Sequence, residues 1–324
     1  MPAVYAHECF GRAIAAQLDG EVAEVIRKYD ASFQIGLQGP DIFFYNIPIL
    51  RHRDYRNVGS YMHEHKVNAF FECCLRRIGT IRSRQQQEEA ISYLAGFINH
   101  YIADSICHPY VYGRIGYPVD APTSMHHGMH AHLENELDAI LLWKYKKKKP
   151  SEFNQTATIC LNGQEIQFIS HFLASCINET YYPITYRNNF QVTPAMVHRS
   201  IWALRFGCRT LSDKNGKKKF GIAQVESIFV NHPVASAKMV TDSVTDYRSS
   251  CNLNHEAWGN PWDPTRVSTA SFVDLFHETL DKCSRVYALL NSAVTDNMPL
   301  DKQDLSPLLT ELGNESYHSG LPVD

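Results

Sequence analysis

The chain carries 16 histidines, most of them within its first 132 residues. In the segment from Asn99 to Pro109, His100, Asp104 and His108 recur every four residues. On a helix each such step drifts only about 40° around the axis, so the three line one face. Imidazole nitrogen and carboxylate oxygen together suit zinc and related divalent cations. The same face also reads as a polar stripe held by a His–Asp hydrogen bond, and the spacing by itself leaves both readings open. A second segment, Met125 to Asp138, offers His130 with Glu134 and His132 with Glu136, each a nitrogen–oxygen pair one helical turn apart. His126 and His127 precede them as further ligands or as a helix start. Leu133, Leu137 and Ile140 mark the packed side of that helix. Upstream lie His7, the turn Gly36-Leu37-Gln38-Gly39-Pro40-Asp41, and His63 with His65. Glycines in that turn let backbone approach a buried site closely.

Helices must position these residues. Apolar periodicity predicts them over Phe10 to Tyr29, Asn68 to Ile78, Gln85 to Cys107, Met125 to Lys146, Ile166 to Ile177, Pro194 to Leu211 and Ser271 to Val294. Pro109 is expected to end the third of these at His108. Thr156 to Phe168, with Asn162-Gly163 at its centre, is the one expected β-hairpin. The fold expected is therefore all-α with one small hairpin: a single domain over residues 1–300, its chemistry within the first 140, and a polar, loosely held tail over 301–324. Asn252 to Asp263, with Trp258 and Trp262, reads as a lid or, more simply, as a packed loop.

Composition narrows the function. Hydrophobic residues make up 44%, charged residues 20%, and the net charge is -3. That is an ordinary globular balance, with no broad basic field for nucleic acid. No stretch approaches the roughly 20 apolar residues that span a bilayer. The first residues lack the pattern of a secretory signal, which points to the cytoplasm. The nine cysteines include no Cys-x-x-Cys pair, so neither a disulfide framework nor a thiolate zinc knot is expected. The zinc-protease helix, the nucleophile elbow and the phosphate-binding loop are all missing. The only Glu-x-x-His runs from Glu315 to His318, in the polar tail. Lysine runs at 146–149 and 217–219 read as solvated ends of elements.

Taken in order, these residues resemble the zinc-dependent phospholipase C family, whose relatives include zinc-dependent single-strand nucleases. The ordered set is His7; Gly36 to Asp41; His63; His100 and Asp104; His108; and His130 with Glu134 and Asp138. The resemblance implies an all-α fold holding up to three zinc ions in a cleft. Asp41, His63, His100 and Asp104 would hold one, and His108, His130 and Glu134 a second, more open one. Asp104 would bridge to a third, shared with His7 and the N-terminal amine and carbonyl. Asp41 would also act as general base on a zinc-activated water, and Asp138 would support the ligands. The implied reaction is hydrolysis of a phosphoester, foremost phospholipase C-type cleavage of a phospholipid headgroup, with transient contact at a membrane surface. Phe43, Phe44, Tyr45 and Tyr61 are neighbouring aromatics for the headgroup. A soluble phosphoesterase or nuclease acting on a nucleotide, and a non-catalytic metal-binding helical protein, are the competing readings.

Overall fold

The computed structural model describes residues 4–45, 58–181, 191–211, 213–229, 236–242, 244 and 246–324. The order is α1 (Val4–Ala15), α2 (Glu21–Lys28), α3 (Asp30–Gly36), a 3-10 turn (Gly39–Tyr45), α4 (Val58–Glu64), α5 (Val67–Thr80), α6 (Arg84–Arg114) and α7 (Ser124–Leu141). Then follow α8 (Gly163–Thr180), α9 (Pro194–Leu211), α10 (Lys217–Phe229), α11 (Tyr247–Ser250), β1 (Trp258–Asn260), β2 (Asp263–Ser268), α12 (Phe272–Thr295) and α13 (Ser306–Leu312). The all-α expectation holds. The periodic segment expected from Phe10 to Tyr29 is two helices, because Gly20 takes a left-handed φ of 85° and breaks the run.

The core is built around α6, which is buried on every side from Glu88 to Ser105, as expected of a helix with neighbours all round. Helices α1, α2, α3, α5, α7, α8 and α12 pack against it. The closest crossing is with α3. A Cβ on Gly36 would lie 2.1 Å from the Tyr93 carbonyl oxygen, and one on Gly96 would lie 2.2 Å from that of Phe33. Side-chain-free surfaces thus let two backbones touch, and this brings the turn after α3 against His100.

Three sequence expectations are corrected. Helix α6 runs through Pro109 to Arg114 rather than stopping at His108. Proline here removes one donor to the Ser105 carbonyl, while burial of Tyr110, Val111 and Tyr112 supports continuation. The hairpin is not at Thr156 to Phe168. Asn162 instead caps α8, its side chain accepting from the Gln164 and Glu165 amides while Glu165 accepts from the Asn162 amide. The two-stranded antiparallel sheet is β1–β2, which begins in the segment expected to be a packed loop and runs past its end. There Trp258 is buried and its indole donates to the Ala270 carbonyl. Residues after 301 do not form a loose tail: Leu305, Leu308, Leu312 and Tyr317 are buried in the core. Among the described residues, no helix is long and apolar enough to cross a membrane.

Candidate metal centre

Four elements converge on one face of α6. His100, Asp104 and His108 come from α6 itself, His7 from α1, His63 from α4, and His130 and Glu134 from α7; Asp41 stands on the 3-10 turn. Gly39 lets that turn pass directly over His100: its φ is +48°, and a Cβ there would lie 2.2 Å from the imidazole. The eight residues form three groups, His7–His100–Asp104, Asp41–His63–His100 and His108–His130–Glu134, the first two sharing His100. In each group the ligand atoms lie within 4.8 Å of one another.

Asp104 is the hub. Its Oδ1 lies 3.2 Å from His7 Nε2, and its Oδ2 lies 3.2 Å from His100 Nε2, 3.6 Å from His108 Nδ1 and 3.9 Å from His63 Nε2. In the third group, Glu134 Oε1 lies 3.0 Å from His130 Nε2 and 3.1 Å from His108 Nε2. Asp41 Oδ1 lies 3.2 Å from His63 Nε2.

The rings are oriented from behind. His63 Nδ1 meets the Gly59 carbonyl at 2.7 Å, His100 Nδ1 that of Leu37 at 3.0 Å, and His108 Nδ1 that of Tyr317 at 2.8 Å. A carbonyl only accepts, so each Nδ1 carries a proton; Nε2 of His63 and His100 is left to face the centre, while His108 Nε2 donates to the Glu134 carboxylate in the metal-free protein. Asp138, the expected support, accepts from the Ala6 amide at 2.7 Å and ties α7 to the helix bearing His7.

The charges fit a cation. Burial alone would raise the Asp104 carboxyl, yet His108, His100 and His7 hold it well below the usual carboxylate range. Glu134 is likewise pulled down against burial, chiefly by His130 and His108. Burial lowers the His108 imidazole, but Asp104 and Glu134 outweigh it and push it up to about 9. Burial and the neighbouring His100 lower His7. His7 Nδ1, His100 Nε2, Asp104 Oδ2 and His130 Nδ1 are buried without a hydrogen-bond partner. His100 Nε2 and Asp104 Oδ2 face each other at 3.2 Å without hydrogen-bond geometry. A buried nitrogen and carboxylate oxygen that face each other in this way are costly unless a cation sits between them. Nitrogen and carboxylate donors in groups of three fit zinc.

The other candidates lie apart. His132 is 51% exposed and faces Glu136, and His126 caps the start of α7 through Thr123. His65 packs at a tilt against the Tyr61 ring. Of the four aromatics, Phe44 stands 5.5 Å from the His63 ring, while Phe43 is core. The N-terminal amine and carbonyl expected beside His7 lie outside the described residues. Three residues at the centre escaped the sequence reading. Tyr112 continues the four-residue step beyond His108, a signal hidden by ending the helix at Pro109. Tyr317 and His318 come from the supposed tail. The Tyr317 amide donates to the His63 carbonyl while its own carbonyl accepts from His108. The His318 ring stacks on His63 at 4.8 Å. Glu315-x-x-His318 was the available signal, but polarity around it pointed to solvent.

The sequence model of the zinc-dependent phospholipase C family matches residues 6–185. No curated protein and no solved structure matches the chain.

Proposed function

Because the chain belongs to the zinc-dependent phospholipase C family, we propose that it hydrolyses a phosphodiester, foremost a phospholipid, at its headgroup linkage. In this reading Asp41, His63, His100 and Asp104 hold one zinc, and His108, His130 and Glu134 a second. His7 and Asp104 contribute to a third. The convergence of these eight side chains in three groups on one buried face carries the proposal.

Zinc, when bound, supplies Lewis acidity that brings the pKa of water toward neutrality and offsets charge developing on phosphate oxygens. The chain's own part is orientation and proton movement. Carbonyls of Leu37, Gly59 and Tyr317 fix the imidazoles. Asp41 is the general base. Its side chain is 13% exposed, against 5% for Asp104 and 3% for Glu134, so it is the carboxylate that water reaches. Its carboxylate takes the proton of the attacking water. That proton then passes to the departing alkoxide as the phosphorus–oxygen bond breaks, leaving an alcohol and a phosphomonoester.

The test begins with elemental analysis of protein purified without a chelating tag. Two or three zinc equivalents per chain are expected. Phosphatidylcholine, bis-p-nitrophenyl phosphate and single-stranded DNA are then compared as substrates, with the lipid cleaved best. His130→Ala should lose one zinc equivalent together with turnover. A His130→Ala protein with full metal and full turnover sinks the second-site assignment. A zinc-loaded protein inert on all three substrates favours a binding protein over a hydrolase.

A further inference from the structure

Residues 313–324 lie far outside the family-matched segment, yet they run across the metal centre. The peptide of Tyr317 is clamped between the His63 carbonyl and His108 Nδ1. The Tyr317 ring packs against His63 and Tyr101 at 4.8 and 4.9 Å. On one side the strap is pinned by Tyr101, whose hydroxyl meets both the carboxylate and the amide of Glu315. On the other side, Asn260 donates to the Ser319 carbonyl at 2.7 Å. Gly320 has a φ of +60°, and a Cβ on it would lie 2.5 Å from the Ser105 carbonyl oxygen. His318 is therefore carried on a fixed backbone.

Its imidazole lies nearly parallel to His63, at 4.8 Å and 12°, and 5.8 Å from the His108 ring. It thus spans the two ligand groups that contain those histidines. It belongs to neither of them, nor to the third. Its Nδ1 is engaged by the Tyr112 hydroxyl at 3.2 Å, and among the described residues no protein group bonds its Nε2. The residue is partly exposed.

We propose that His318 is a substrate-binding residue whose Nε2–H donates to a phosphate oxygen held at this centre, in the tautomer whose Nδ1 accepts from the Tyr112 hydroxyl. The proposal rests on the metal-hydrolase reading above and adds to it a residue that the ligand set lacks. Ionised Asp41, Asp104 and Glu134 only accept hydrogen bonds, and so do phosphoester oxygens. An imidazole N–H beside His63 and His108 supplies the donor that neither partner has, held by the strap backbone.

The experiment is calorimetric titration of inorganic phosphate into the zinc-loaded, full-length protein, with zinc per chain measured on the same samples. His318→Ala should keep its zinc and bind phosphate about 10- to 100-fold more weakly, the range for one hydrogen bond to a charged group. His318→Gln, which retains an N–H donor, should recover part of that loss. Tyr112→Phe should weaken phosphate binding by a smaller factor at unchanged zinc. Unchanged phosphate affinity in both His318 variants overturns the proposal and leaves the hydrolase reading standing. Loss of zinc in both His318 variants overturns it in favour of a ligand or purely structural role. A wild-type protein that takes up no zinc overturns both readings.

Discussion

Two histidine-rich segments meet at this centre, and they behave differently. Along α6, His100, Asp104 and His108 are all buried and all belong to ligand groups. At the start of α7 the histidines are denser, yet only His130 enters one; His132 is half exposed and His126 is a helix cap. Density is therefore a poor guide. Periodicity helps only where the face it defines is buried against other elements. The α6 face meets the Gly39–Tyr45 turn, α1, α4 and the C-terminal strap, whereas most of the α7 tract looks outward.

The sharpest test of this contrast is Asp104→Asn. It removes the charge that faces His7, His63, His100 and His108. Zinc content should fall by more than one equivalent. The several kcal/mol of charge stabilisation supplied by metal correspond to a turnover loss on the order of 10³-fold. Full metal and turnover in this variant would deny Asp104 its place as hub.

A smaller effect separates the groups by pH. Without metal, Asp104 and Glu134 outweigh burial and push the His108 imidazole up to about 9. Zinc must displace that proton. Affinity at the His108–His130–Glu134 group should therefore rise with pH, by about tenfold per unit up to about 9, and level off above. The sign follows from competition, since protonated His108 has no free lone pair for the metal. The same proton stabilises the apo fold: raised above its unfolded value, the group contributes fully below pH about 6.5, and that contribution is lost as pH rises through about 9. Zinc titrations at pH 6, 7 and 8 measure the slope. A flat profile would mean that the proton released belongs elsewhere.

The smallest expected change is His132→Ala. Substitution of an exposed histidine outside the ligand groups should alter zinc content and turnover by less than about twofold, the scale of a surface substitution. A loss comparable with His130→Ala would erase the distinction drawn within the tract.

How much was legible beforehand varies along the chain. Pro194–Leu211 emerged with the bounds its periodicity predicts. The Asn162-Gly163 turn signal misled, because asparagine before glycine serves a helix cap as readily as a hairpin, and Glu165 three residues on decided for the cap. Pro109 misled because the rule that proline ends helices is local, while burial of the following turn is not. Tyr112 was lost with it. His318 was lost because polarity in a short segment looks the same whether it faces water or other polar groups.

The sequence by itself determined the helical class, the ordered set of candidate ligands and the family, because helical spacing and residue chemistry are local properties carried by the chain. Only the tertiary structure decided that Asp104 stands among four histidines. It alone brought His7 and Glu134 to the same cleft and folded the last dozen residues over it to place Tyr317 and His318. Those relations join positions up to three hundred residues apart. They are set by close packing, such as the Gly36–Gly96 crossing and the passage of Gly39 over His100, which no local spacing encodes.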